Sequence, residues 1–272
     1  MKQIINPSQP IGIFDSGIGG LTVASAIKKI LPNENIVYFG DTAHFPYGEK
    51  SEDSIKFYAI KIARFLLQKN CKTIIIACNT ASAHAYNVVK EFAENKVEVI
   101  NVIDPIVNYV SAKKEYKRIG VIGTKGTIKS NVYENKIKQI SKNIEVVSLA
   151  TPLLAPMIEE GFFNNNISKT IIQSYLSKPR LKKIDCLILA CTHYPLIKKE
   201  ITDIYKKQFE IIDSAEIVAL QVKNVLTQKK LLNKNNAGKH HFYISDYTPS
   251  FGNSASMFFG SKISLSEQNI WI

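Results

Sequence analysis

Thr73-Ile-Ile-Ile-Ala-Cys78-Asn-Thr-Ala-Ser82 is answered farther along the chain by Cys186-Leu-Ile-Leu-Ala-Cys191-Thr-His-Tyr-Pro195. Each is a short apolar run that ends in Ala-Cys and gives way to small or hydrogen-bonding residues. Runs of Ile and Leu bounded by polar groups read as strands buried on both faces of a parallel sheet. Each cysteine then falls at the carboxyl end of its strand, the edge at which open α/β sheets hold ligands. A buried core thiol is the plainer reading of either cysteine alone. The repetition, with polar neighbours both times, points instead to a pair of thiols facing one site from opposite sides.

Working outward, Ile11-Gly-Ile-Phe14 predicts an opening strand, and Asp15-Ser16-Gly17-Ile-Gly19-Gly20 the loop that turns it into a helix over 21–30. Thr22 stands where a dinucleotide fingerprint needs its third glycine, so that reading fails. The backbone N–H groups of the loop and the helix N-terminus still suit a carboxylate. Asp15 is either a helix N-cap or a site residue on the edge shared with Cys78. Ile36-Val-Tyr-Phe39 is the second strand, and in the loop Gly40-Asp41-Thr-Ala-His-Phe-Pro46-Tyr47-Gly48 the proline and glycine present Tyr47. A helix over 51–69 gathers Ile55, Tyr58, Ala59, Ile62, Phe65 and Leu66 on one face and carries packing. A helix over 81–94 and a strand over 97–102 follow, and Asp104-Pro105 marks a crossing into a second unit.

The second unit repeats the first in outline. Ile11-Gly12 returns as Ile119-Gly120, Asp41-Thr-Ala43 as Ala150-Thr-Pro152, Cys78 as Cys191 and Glu98-Val-Ile as Glu210-Ile-Ile, in the same order and 108 to 113 residues on. Four matches inside so narrow a window indicate an internal duplication, and they set Thr124 opposite Ser16. Strands over 118–122, 145–149 and 209–213 complete this unit. The polar loop after Ile122 lacks the order of a phosphate loop. Pro156-Met-Ile-Glu159-Glu160-Gly161 is a helical turn whose acids, taken alone, belong to the surface. His193 is either a satisfied loop histidine or the activator of the thiol two residues before it. Beyond a helix over 215–229, the Lys- and Asn-rich stretch over 229–241 reads as a solvated loop, His240-His241 as solvated, and Phe242-Tyr-Ile-Ser245 as a last strand. A remainder so short cannot form a core of its own and returns to the first unit. The expected fold is α/β, with two similar parallel-sheet domains facing each other across one cleft: 1–104 plus 215–272, and 105–214.

The totals narrow the class. At 272 residues each domain is large enough to bury its own core. The four cysteines, Cys71, Cys78, Cys186 and Cys191, have neither zinc-motif spacing nor the density of a disulfide scaffold, so no metal is expected and Cys71 and Cys186 are assigned to the core. No signal peptide and no apolar run near the ~20 residues of a membrane span is present, which predicts a soluble, cytoplasmic chain with reduced thiols. The net charge of +12 is spread in ones and twos, as at Lys61, Lys69, Lys138 and Lys198, so a solvated surface outweighs a nucleic-acid partner.

With these residues in view, the chain resembles glutamate racemase, the cofactor-independent enzyme family that supplies D-glutamate for bacterial peptidoglycan. The resemblance is carried by Gly12-Ile-Phe-Asp15-Ser-Gly-Ile-Gly-Gly20, Tyr38-Phe-Gly-Asp-Thr-Ala-His-Phe-Pro-Tyr-Gly48, Ala77-Cys-Asn-Thr-Ala-Ser82, Ile119-Gly-Val-Ile-Gly-Thr124 and Ala190-Cys-Thr-His-Tyr-Pro195. It implies that Cys78 takes the proton of D-glutamate and Cys191 that of L-glutamate. It also implies substrate contacts at Asp15, Ser16, Tyr47, Gly48, Asn79, Thr80, Thr124, Thr192 and His193, help to the thiols from Asp15 and His193, and lesser assistance from Asp41 and Glu159. No cofactor, a homodimer, and no regulatory N-terminal extension are its further implications.

The chemistry agrees independently: inverting a Cα centre needs proton removal on one face and delivery on the other. One thiol must start as thiolate, and a helix N-terminus at Cys78 or the imidazole near Cys191 can promote that. Three rivals remain at this stage. A racemase for aspartate would differ only in the pocket for the side-chain carboxylate. A non-catalytic amino-acid binding protein would leave the cysteines idle, and nucleic-acid binding rests on charge alone.

Overall fold

Apolar runs too short for helices and flanked by polar turns dictate strands, and the amphipathic stretches between them dictate crossover helices. In the computed structural model, which describes residues 5–94, 96–206, 208–234 and 237–271, the chain opens with β1 (Ile11–Asp15), α1 (Leu21–Ile30), β2 (Ile36–Gly40), α2 (Glu52–Gln68), β3 (Thr73–Ile76), α3 (Asn79–Ala93), β4 (Glu98–Asn101) and α4 (Ile103–Ser111). Then follow β5 (Arg118–Gly123), α5 (Lys125–Lys129), α6 (Val132–Ile140), β6 (Glu145–Ala150), α7 (Leu154–Glu159), α8 (Asn166–Leu176), β7 (Cys186–Ala190), α9 (Lys198–Tyr205) and β8 (Glu210–Asp213). The last elements are α10 (Ser214–Gln228), β9 (His240–Ile244), α11 (Pro249–Phe259) and β10 (Leu265–Glu267). The first four residues, on which part of the N-terminal reading rests, and Asn235 and Asn236 in the Lys- and Asn-rich stretch lie outside the described residues.

Two parallel sheets result, ordered β10-β9-β2-β1-β3-β4 and β6-β5-β7-β8. The block β2-β1-β3-β4 matches β6-β5-β7-β8 strand for strand, so the offsets seen in the sequence are a repeated topology. In each block the chain leaves the central strand to one side and returns on the other. That reversal opens a crevice at the carboxyl ends of β1 and β3, and of β5 and β7, which is where such folds bind ligands. Every residue of β1, β2, β3 and β7 is buried, in keeping with helices on both faces. Each fully buried Ile or Leu contributes roughly 1.5–3 kcal/mol, less the entropy of ordering it. Ser51 caps α2 by accepting the Ser54 amide, a bond worth about 1 kcal/mol.

The strand β9 pairs with β2 in register from Ile36 opposite His240 to Gly40 opposite Ile244, so this late segment lies in the first sheet. Helix α10 packs on α1 and α4, with Val218, Ala219, Val222 and Leu226 in one core with Leu21, Ala24 and Ile27.

Several local readings change. Asp104-Pro105, read as a crossing point, lies in the first turn of α4, where proline lacks only an N–H that has no helical partner. The stretch after Lys229 is not simply solvated. The Lys72 Nζ, buried with Glu34, donates to Glu34 Oε2 at 2.5 Å and to the Leu231 carbonyl at 2.8 Å, and the Asn233 amide donates to Glu34 Oε1 at 2.8 Å. The strand over 242–245 is also not the last: α11, built from Gly252 and several serines of weak helix propensity, and the three-residue β10 follow it.

Candidate active site

Parallel strands bring their carboxyl ends to one edge, so the loops after β1, β2, β3, β5 and β7 converge. Ser16, Tyr47, Gly48, Cys78, Asn79, Thr80, Thr124, Cys191, Thr192 and His193 together line one narrow cavity. Ten of the residues expected in the site therefore share one wall. Larger surface hollows, such as that bordered by Lys90, Glu91, Lys96 and Lys229, bring no thiol and imidazole together. Asp15, Asp41 and Glu159 stand behind the wall. Phe45 and Ala155 line it without having been singled out in the sequence, because apolar wall residues carry no signal apart from core ones, and Pro46, noted only for the path of its loop, lines it too.

On the first side, Cys78 is the N-cap of α3, its Sγ accepting the Ala81 amide at 3.4 Å, which is why the helix starts at Asn79 rather than two residues later. The thiol faces Ser16 Oγ at 3.6 Å. The Ala81 N–H favours the thiolate as the sequence suggests, but burial and the Asp15 carboxylate outweigh it and push Cys78 up to about 12. Asp15 itself is fully buried. Its Oδ2 accepts Gly20 N at 3.0 Å and Gly17 N at 3.3 Å, and its Oδ1 accepts Thr192 Oγ1 at 3.4 Å. Burial raises the Asp15 carboxyl, while the His193 charge and these two amides hold it down.

Opposite, Cys191 follows β7, and its Sγ lies 3.8 Å from His193 Nδ1. The other ring nitrogen, Nε2, meets Glu159 Oε2 at 3.2 Å, so the acid that the sequence alone leaves at the surface is turned inward from the last turn of α7. Burial works against a charged His193, yet its bonds to Cys191 and Glu159 prevail and push it up to about 10. Phe45 and Phe258 flank the ring at 5.8 and 5.0 Å between centroids. Gly19 admits this packing: a Cβ there would fall 2.5 Å from His193 Nδ1.

Between the two sides the walls are stitched. Thr22 Oγ1 donates to Gly19 O at 2.9 Å and is within 3.1 Å of Thr192 O, and the hydroxyls of Thr80, Thr124 and Thr127 form a triangle of 2.9 to 3.1 Å. Tyr133, missed in the sequence, donates to Asn79 Oδ1 at 2.7 Å and so aims the amide; the only clue was an aromatic on a helix 54 residues away. Among the described residues the buried Asn79 Nδ2 has no hydrogen-bond partner, and Glu159 Oε1 has none either. A buried donor left open at a cavity suits a ligand oxygen. Cys71 and Cys186 are buried away from this wall, and burial pushes both up to about 12. Among the described residues no group of His, Cys, Asp and Glu is arranged to hold a metal, and no helix is long and apolar enough to cross a membrane.

The geometry has counterparts. The family model for Asp/Glu/Hydantoin racemase matches residues 20–222. Glutamate racemase of Geobacter metallireducens is 41% identical over 258 residues, covering 94% of this chain and 95% of that protein. The crystal structure of glutamate racemase from Francisella tularensis in complex with D-glutamate superposes with a TM-score of 0.91 at 40% identity, over 97% of this chain and 99% of that one. Picrophilus torridus aspartate racemase reaches 0.59 at 21% identity, over 82% of this chain and 99% of that one, a likeness of fold alone. With a family match over most of its length and a glutamate racemase at 41% identity across nearly all of it, the chain belongs to the Asp/Glu/hydantoin racemase family of enzymes.

Proposed function

We propose that the protein interconverts L- and D-glutamate by two-base proton transfer at Cα, without a cofactor, and so supplies D-glutamate for peptidoglycan. The observation that carries the mechanism is the pair Cys78 and Cys191, set at equivalent strand ends of two like sheets and lining one cavity. Glutamate is favoured over aspartate because the near-full-length relatives are named for glutamate, whereas the aspartate racemase shares only the fold.

The two thiols begin in different states. Cys78, pushed up to about 12, is a thiol and therefore a proton donor. His193 stays protonated and faces Cys191 Sγ, and a neighbouring imidazolium favours a thiolate there. In this form the site is set for L-glutamate. The Cys191 thiolate takes the Cα proton, the Cys78 thiol delivers its own to the opposite face, and D-glutamate leaves with Cys78 as thiolate and Cys191 as thiol. Solvent then resets the pair, and D-glutamate uses the reset's other form. The open Asn79 Nδ2, with Thr80, Thr124 and Thr192, binds the substrate carboxylates; Ser16, Tyr47 and Gly48 close the wall. Glu159 holds the His193 charge, and Asp15 opposes early ionisation of Cys78. Assembly as a homodimer rests on the family resemblance, and sedimentation velocity decides it.

The test is a single incubation of each glutamate enantiomer in deuterium oxide with no added cofactor, read by chiral chromatography and mass spectrometry. Product should carry deuterium at Cα from the first turnover, while remaining substrate stays largely protiated. Early product that retains the original hydrogen rules out opposed thiols, and faster turnover of aspartate transfers the assignment to that substrate.

A further inference from the structure

The loop that brings Tyr47 and Gly48 to the cavity is supported from outside it. The Tyr47 hydroxyl donates to Asp41 Oδ2 at 2.7 Å, and Asp41 is fully buried. The same carboxylate receives His44 Nδ1, at 2.9 and 3.0 Å from its two oxygens, and Ser245 Oγ at 2.8 Å. Three side-chain donors thus converge on this one carboxylate from three places in the chain. Asp41 does not itself line the cavity, and Tyr47 is the lining residue it holds.

His44 is itself held. Its ring stacks on Tyr58 at 4.1 Å between centroids and takes the edge of Trp271 at 4.5 Å, while Trp271 meets Tyr58 at 5.4 Å. Trp271 can be there because β10 runs parallel to β9, so the chain leaves β10 at the same edge as the site loops. The tail is tied down by the Gln268 amide on the Ile244 carbonyl at 2.8 Å and by the Trp271 amide on Asn269 Oδ1 at 2.9 Å. Ser245, on the exit of β9, comes from the same C-terminal segment.

We propose that Trp271 and His44 are positioning residues for substrate binding: Trp271 seats His44, His44 and Ser245 orient Asp41, and Asp41 fixes the Tyr47 hydroxyl in the cavity wall. The C-terminal tail is thereby part of the binding machinery. This deepens the reading of the cavity as a glutamate site and rests on it. A wall residue displaced by a fraction of an ångström weakens binding, while the two thiols, on other loops, keep their chemistry.

The test compares His44→Ala, His44→Asn, Trp271→Ala and Trp271→Phe with wild type for both enantiomers. KM should rise on the order of tenfold in the two alanine variants, the scale of one hydrogen bond to a charged group, with kcat within about threefold. His44→Asn keeps an N–H for Asp41 and Trp271→Phe keeps a ring edge, so each should recover most of the loss. An independent readout comes from Trp271 being the protein's only tryptophan. Saturating D-glutamate should shift its emission in wild type, and Tyr47→Phe, which cuts the link at the cavity, should abolish the shift while calorimetry still detects binding. Alanine variants that melt lower with unchanged KM, or lose kcat at constant KM, overturn the proposal, as does a shift that survives in Tyr47→Phe. A wild type that neither binds nor racemises glutamate overturns the functional reading and this inference with it, and shows itself before any variant is made.

Discussion

The Cys78 half and the Cys191 half of the cavity are built on the same four-strand order and end in the same residue, yet the charged groups around the two thiols differ. Around Cys78 the nearest charge is the buried carboxylate of Asp15, and burial adds to it, so the proton stays on sulfur. Around Cys191 an imidazole stands at 3.8 Å with an acid behind it, so a positive charge is kept close to sulfur. A duplicated scaffold has thus supplied two equivalent thiol positions in different surroundings, the asymmetry on which the proposed acid and base roles rest. Inverting a stereocentre needs that division of labour in either direction.

The largest effect expected is from removing either thiol. Cys78→Ala and Cys191→Ala should each lower racemisation by about 10⁴-fold or more with unchanged circular dichroism, since neither sulfur reaches the other face. A Cys191→Ala protein of near-normal activity would end the comparison. Next in size, His193→Gln should cost about 100-fold and Asp15→Asn less, with opposite signatures. The primary isotope effect should grow with α-deuterated L-glutamate in His193→Gln and with α-deuterated D-glutamate in Asp15→Asn. Because enantiomers have equal energy, kcat/KM remains the same in both directions for every variant, so the asymmetry must be sought in isotope effects and in kcat.

Stability sharpens the contrast through pH. His193 rises from 6.5 to about 10 on folding, so its bonds stabilise the native state fully below about pH 6.5, and the contribution is lost as pH rises through about 10. The stability deficit of His193→Gln in urea should accordingly shrink from pH 6 to pH 10. Cys78 rises from 9.0 to about 12, so above pH 9 the native state keeps a proton that the unfolded chain has released, and wild-type stability falls with pH there. Cys78→Ala should lose its share of that fall, while Cys71 and Cys186, pushed up in the same way, keep theirs. The smallest effect belongs to the matched core cysteines: Cys71→Ala and Cys186→Ala should cost about 1–2 kcal/mol of stability by denaturant titration and leave turnover unchanged.

Much of this was legible before the structure. Two Ala-Cys strand ends, a Gly-rich turn and a repeated order of segments are local patterns, and local patterns survive in sequence. What was not legible depends on distance. Tyr133 under Asn79, Glu159 under His193 and Leu231 on Lys72 join residues far apart in the chain, and no spacing rule encodes such contacts. The pull of the α3 N-terminus on Cys78 was read correctly in sign, but its size against burial could be judged only once Asp15 and the closed wall were in place. Helix α11 and β10 escaped because serine, glycine and a three-residue run give little propensity or period.

The pairing of β2 with β9 also governs how the protein comes off the ribosome. The second sheet has all four strands once Asp213 has emerged, while the first still lacks β9 and β10 and shows the bare edge of β2, Ile36-Val-Tyr-Phe-Gly40. An unpaired apolar edge is a template for other chains. The nascent polypeptide therefore passes through an interval in which one half is finished and the other is adhesive, and a chain stopped before His240 remains there, with pelleting in place of soluble expression as the expected result.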